Sequence, residues 1–218
     1  GEPTSHPNFD KFLKYASNKF FEFKMNTNAT YLNEEKCHQI LSSSMNIINF
    51  SIDAHLEKIY EKVRVGAKFK QVVKNLKLFK RIKDKFYKNS EIITRVGGIL
   101  YRKDQRSKKF KRDFKNFWSK YVDEVGWANM KMQWDTYNNK PTPELSNPCH
   151  FLWDRMYIWY DGTVNPCELD YKSTLKITNI KNKKIRDVWN SKEYKEIRRI
   201  HLLKERNKLN PCDRCGNT

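Results

Sequence analysis

No run of this 218-residue chain approaches the eighteen or so apolar residues of a membrane span. The start carries no n-region, h-region and cleavage site of a secretory signal. No internal repeat is visible, which excludes solenoids and propellers. Cysteine is scarce: Cys37, Cys149, Cys167, Cys212 and Cys215 are all there is. Without a secretory signal these five do not read as a disulfide framework, and the protein is expected in the cytoplasm. There is also no initiating Met. The opening "GEPTSHPNF" reads as a cut, so the chain is expected to be a fragment.

What the sequence has in excess is positive charge, +19 at pH 7 from 44 Lys and Arg against 25 Asp and Glu. Such a balance invites a nucleic-acid partner, but we discount it. Lys and Asn dominate in the manner of an AT-rich genome. The basic residues are also spread along the chain, eleven against two acidic over residues 61–90 and nine against two over residues 101–120. These runs fit solvated helix faces at least as well as a groove.

Over the first two thirds, short apolar runs alternate with helical patterns. Helices are expected at "FDKFLKYASNK", "NEEKCHQILSSS", "AHLEKIYEKVR", "KFKQVVKNLKLFKRIKDK" and "KKFKRDFKNFWSKYVDEV". Strands are expected at "FFEFKMNT", "MNIINFSID", "EIITRVGGIL" and "NMKMQWDTY". That order argues for a parallel α/β sheet or partial barrel, with ligands at the carboxyl ends of its strands. "NNKPTPELSNP" carries three prolines and reads as a linker. It divides the chain into 1–145 and 146–218.

The C-terminal part differs. "RMYIWY-DG-TVNP" is a β-hairpin turning at Asp161-Gly162. "IRDVWNSKEYKEIRRIHL" follows as a helix whose buried stripe is Ile185, Val188, Trp189, Ile197 and Ile200. Pairing across the turn brings Cys167 back alongside Met156, with Cys149 folding over the same end. Cys212-x-x-Cys215 is a tight thiolate pair. Four thiolates so placed make a closed site for zinc or for a [4Fe–4S] cluster. Spacing alone separates neither these two nor a set of four structural cysteines. Cys37, in an amphipathic helix, reads as an ordinary core residue and His38 as a surface one.

Cys149, Gly162, Cys167 and Cys212-x-x-Cys215 resemble the C-x(9–15)-G-x4-C … C-x-x-C pattern of radical SAM enzymes, where it marks the C-terminal SPASM or twitch module. "GEPTSHPNF" resembles their Gly-Gly-Glu-Pro segment. "MNTNATYL" is similar to the third-strand Thr-Asn-Gly segment, with Ala29 in place of Gly, and "INFSIDA" looks like the fourth strand. The resemblance implies α/β architecture, a partial (β/α)6 TIM-like barrel lacking its first strands, plus a small α+β module with a hairpin. It implies an auxiliary [4Fe–4S] cluster on Cys149, Cys167, Cys212 and Cys215. In the full-length protein it further implies S-adenosylmethionine and a second [4Fe–4S] cluster. It also implies a 5′-deoxyadenosyl radical for hydrogen abstraction, an electron donor such as flavodoxin or ferredoxin, and a peptide, carbohydrate or other small substrate. No C-x-x-x-C-x-x-C occurs here, so the chain alone is expected to be inactive. The competing function is a zinc-bearing basic module that binds nucleic acid.

Gly1, Glu2 and Pro3 are then expected against the amino group of S-adenosylmethionine, or frayed. Asn26, Thr27 and Asn28 face the cofactor or cap their strand. Ser51 and Asp53 contact its ribose or methionine part, or cap a helix. Arg95, a charge inside a strand, meets a ligand carboxylate or an internal ion pair. Trp134 and Tyr137 pack the barrel.

Overall fold

The computed structural model describes residues 1–130 and 136–216. It divides into two compact units, Gly1–Met130 and Lys131–Thr218. The linker assigned from sequence falls inside the second unit. There Thr142 N donates to the Asp213 carbonyl at 2.7 Å and Asn207 Nδ2 to the Pro143 carbonyl at 2.9 Å.

In the first unit four parallel strands lie in the order β1-β2-β3-β4: Lys24–Thr27, Ile47–Ser51, Ile93–Leu100 and Glu124–Asn129. Helix α1 (Phe9–Ala16) precedes them. The connections carry α2 (Glu34–Leu41), α3 (Glu57–Val63), α4 (Phe69–Phe86) and α5 (Lys108–Trp118). Parallel strands need such crossovers. Two of these helices, α2 and α5, start where the sequence supplies a side-chain cap. Asn33 accepts from Lys36 N at 2.9 Å, followed by Glu34 and Glu35 in the first turn of α2. Ser107 accepts from Phe110 N at 3.2 Å to open α5. Residues at helical spacing then bury one face: Phe110, Phe114 and Trp118 on α5, and Val72, Leu76 and Phe79 on α4.

The first three strands alternate, whereas β4, at the edge of the sheet, has no buried residue. Met25, Thr27, Ile48, Phe50, Val96 and Leu100 are buried under the helices. Asn26, Asn49, Ser51, Arg95 and Gly97 look the other way and line an open groove. The strands therefore have an apolar outer face and a polar inner one.

Three expectations need correction. The strand read from Phe20 begins only at Lys24, because β2 starts at Ile47 opposite it and leaves residues 20–22 without a pairing partner; Phe21 is fully exposed. The helix read through Val125 stops at Trp118, and the last strand is Glu124–Asn129, placed by Arg95 opposite Glu124 and Gly97 opposite Gly126. Of "NMKMQWDTY", residues 131–135 with Trp134 lie outside the described residues.

The second unit holds α6 (Phe151–Asp154), an antiparallel sheet β5-β6-β7 (Tyr157–Ile158, Thr163–Asn165, Thr178–Asn179), α7 (Ile185–Trp189) and α8 (Lys192–Leu202). Val164, Ile177, Val188 and Tyr194 form its core. The single helix read over residues 185–202 breaks at Asn190, where Ser191 caps α8 by accepting from Tyr194 N at 3.3 Å. Ile185 is exposed, and Tyr194 and His201 take the buried positions of α8. The hairpin turns through three residues, with Gly162 at φ 83° and Trp159 N bonded to the Thr163 carbonyl. Tyr157 pairs with Asn165. That extra loop residue shifts the register by one, so extending the ladder sets Cys167 opposite Arg155 instead of Met156.

Candidate metal centre

Cys149 precedes α6, and Cys167 lies two residues beyond β6. Cys212 opens a one-turn 3-10 segment, Cys212–Arg214, and Cys215 caps its end. All four line one enclosed, apolar cavity. Burial pushes the Cys149 and Cys212 thiols upward and Cys167 to about 12. Smaller effects of the neighbouring cysteines push the same way: Cys215 on Cys149, Cys215 and Cys149 on Cys167, and all three others on Cys212. Thiols raised in this way by burial give up their protons when a cationic metal takes their place. Among the described residues no three Cys, His, Asp or Glu side chains focus on a single ion. A cubane instead takes one thiolate at each of four separate corners. Four cysteines lining one enclosed apolar cavity supply that donor set. Leu169 N also points at Cys167 Sγ, 3.3 Å away.

Three residues that the sequence did not single out frame this cavity. Arg206, 1% exposed, donates from Nε to the Cys212 carbonyl at 3.2 Å, from Nη1 to Asn147 at 3.3 Å and from Nη2 to Cys215 at 2.9 Å. Its charge lowers the Cys149 and Cys212 thiols against the larger effect of burial. His201 is fully buried, and its Nδ1 accepts from Cys149 N at 3.2 Å. Burial first, then Arg206, hold its pKa down to about 4. Asp170, 1% exposed, accepts from Thr174 N at 2.9 Å, Leu175 N at 2.8 Å and the Tyr137 hydroxyl, fixing the loop that follows Cys167. Tyr137, read as a barrel residue, thus belongs to the second unit, where it also packs edge-on against Tyr171. The signal for His201 was its place on the Tyr194–Ile197–His201 stripe of α8. Arg206 was hidden among surface lysines.

On the inner face of the first unit the candidates fare differently. Glu2 is a strut. Its Oε1 accepts from Thr4 N (3.0 Å) and Thr27 Oγ1 (2.6 Å), and Oε2 from Asn28 N (2.6 Å). Pro3 opens a 3-10 turn and Gly1 is exposed. The Asn28 side chain is turned onto Thr30, accepting from its N at 2.9 Å. Ala29 has φ 62°, the left-handed backbone that the resemblance's Gly suits. Ser51 lines the groove. Asp53 is corrected: it is fully buried, paired to Arg64 Nε at 2.5 Å and accepting from Ile99 N at 2.7 Å, and it neither faces the groove nor caps a helix. Arg95 meets Glu124 at 2.5 Å, so the internal ion pair is the partner it has. Asn49 was not singled out. It donates to Asn26 Oδ1 at 2.9 Å, while its own Oδ1 is buried without a partner over Gly97.

One unit thus carries a parallel α/β sheet with a polar inner face, and the other is built round four cysteines, two buried and two half-buried, that line one cavity. The family model for the iron–sulfur cluster-binding SPASM domain matches residues 149–216, and that for the radical SAM superfamily matches residues 1–94. The chain belongs to the radical SAM superfamily and carries a SPASM domain. No curated protein matches the chain significantly. Among solved structures it is similar to Streptococcus suis SuiB bound to the precursor peptide SuiA, with TM-score 0.69 and 16% identity over 91% of this chain and 54% of SuiB. It is also similar to BtrN in complex with AdoMet and 2-DOIA, with TM-score 0.57 and 17% identity over 100% of this chain and 70% of BtrN. At such identities the likeness is one of fold. The chain spans about half the length of SuiB. The superfamily is one of enzymes, and its two domains imply [4Fe–4S] clusters and S-adenosylmethionine. The zinc reading has no support from these matches. No helix among the described residues is long and apolar enough to cross a membrane.

Proposed function

We propose that Cys149, Cys167, Cys212 and Cys215 ligate an auxiliary [4Fe–4S] cluster in a radical SAM enzyme that abstracts hydrogen from a peptide or other small substrate. The observation that carries this reading is the one enclosed cavity lined by all four thiols in the SPASM-matched segment. When bound, such a cluster supplies one-electron chemistry or a binding iron near substrate. This chain's own residues do the rest. The apolar walls exclude water, Arg206 offsets thiolate charge, and the Asp170 hub holds the Cys167 loop. A peptide is the substrate favoured by the likeness to SuiB, whose structure is with a precursor peptide. We further propose a cytoplasmic setting with a flavodoxin or ferredoxin as reductant, and functional modules at 1–145 and 146–218.

For S-adenosylmethionine we propose the groove on the inner face, where Ser51, Asn26 and Asn49 offer polar contacts and Arg95 lines the wall, with Gly1, Glu2, Pro3 and Asn28 contributing from the end of β1, where Glu2 holds Thr27 and Asn28. Lacking C-x-x-x-C-x-x-C, these 218 residues do not cleave it by themselves. Anaerobic reconstitution tests the cluster assignment. We expect brown protein with about four iron and four sulfide per chain. Colourless protein holding one zinc would sink it.

A further inference from the structure

His201 lines the same cavity as the four cysteines, at the end of α8. Its ring is fully buried. Nδ1 is committed as an acceptor, because the Cys149 N–H points at it from 3.2 Å. An imidazole that accepts at Nδ1 carries its proton on Nε2. That Nε2 is buried and has no hydrogen-bond partner. A buried N–H donor left without an acceptor costs about 1–3 kcal/mol, and such groups are rare in folded proteins. The missing acceptor therefore belongs to whatever fills the cavity. Sulfur of an iron–sulfur cluster is such an acceptor, and thiolate and sulfide both carry the negative charge that strengthens the bond.

We propose that His201 is a positioning residue for the auxiliary cluster. Its Nδ1 fixes the backbone of the ligand Cys149, and its Nε2–H donates a hydrogen bond to a cluster sulfur, making the cluster easier to reduce. Hydrogen bonds to the sulfurs are one of the protein's levers on cluster potential. The inference rests on the cluster assignment above. It adds a role for a residue outside the four-cysteine pattern.

Two variants separate the two nitrogens. His201→Asn retains an acceptor near the Nδ1 position but is too short to donate where Nε2 does. His201→Gln reaches the Nε2 position with an amide N–H. The chain is reconstituted anaerobically with iron and sulfide and titrated by redox-poised electron paramagnetic resonance. With iron and sulfide counts equal to the parent, H201N is expected to lower the ratio of reduced to oxidised cluster at fixed potential about tenfold, the equivalent of about 59 mV for a one-electron couple. H201Q is expected within about twofold of the parent. An unchanged ratio in H201N overturns the proposal.

Should H201N fail to take up iron, electron–nuclear double resonance on the parent decides. An exchangeable proton with weak coupling to labelled His nitrogen supports the bond. No coupling, or coupling strong enough for direct ligation of iron, overturns it. A parent that holds no iron fails at the cluster assignment itself, which the metal count shows separately.

Discussion

The Arg206 guanidinium donates to the Cys215 carbonyl at 2.9 Å, and the same group reaches the carbonyls of Cys212 and Asn147. One buried side chain thus ties the terminal knuckle to the segment just before Cys149. Replacing it with Met leaves three carbonyls to find new partners. We expect a loss of about 3 kcal/mol or more, since each orphaned buried acceptor costs about 1–3. Arg206→Lys keeps the charge but lacks the planar fork, so it should recover only part of the loss. Urea unfolding of the iron-free protein measures both.

Cluster ligation should single out four of the five cysteines. Serine at position 149, 167, 212 or 215 is expected to drop iron well below the parent content and abolish its resonance signal. Cys37→Ala should leave both intact. Cys37 is fully buried in α2, its thiol pushed to about 12 by burial and then Glu34, and it lines no part of the cavity. Losing its sulfur costs about 1 kcal/mol as a small cavity.

Asp53 is expected to matter for folding, not for cofactor contact. Its carboxylate holds Arg64 and the amide of Ile99. Asp53→Ala should cost about 2–4 kcal/mol, below the full range for a buried pair because Arg64 keeps 30% exposure. Asp53→Asn, which still accepts from Ile99 N, should cost less. Chemical denaturation of the two variants checks the order. Equal losses would mean that the Ile99 contact contributes nothing.

Two glycines in neighbouring strands should behave oppositely. A Cβ on Gly98 would lie 2.6 Å from the Ile52 carbonyl oxygen and 3.2 Å from the Phe114 ring, whereas one on Gly126 would meet nothing within 4 Å. Gly98→Ala is therefore expected to destabilise by about 1–3 kcal/mol. Gly126→Ala should be neutral or stabilising by about 0.5–1 kcal/mol, as Gly weakens a strand interior. Melting temperatures of the pair test this.

Much of this arrangement could be read beforehand. Strand and helix alternation gave the parallel sheet, because Ile48, Phe50 and the Phe110–Phe114–Trp118 stripe report burial directly. The four cysteines were legible because thiols are few and closely spaced at the terminus. What escaped notice depended on partners distant along the chain. Phe20 and Phe21 have strand propensity, yet nothing lies opposite them. Arg95 looked like an unpaired charge until Glu124 came beside it on β4. The hairpin register turned on whether Tyr160 joined the loop, which "DG" alone does not decide. His201 and Arg206 are ordinary letters in a basic sequence, and only the fold shows that both are buried.

The alternation within the first three strands also separates two kinds of inheritance. Residues turned towards the helices are held by packing, so exchange there is penalised whatever the enzyme acts upon. Those turned towards the groove, Asn26, Asn49 and Ser51, carry no such packing and are tied at most by the hydrogen bond from Asn49 to Asn26. Exchanges on the groove side can accordingly alter what the groove holds while the scaffold on the other side stays as it was.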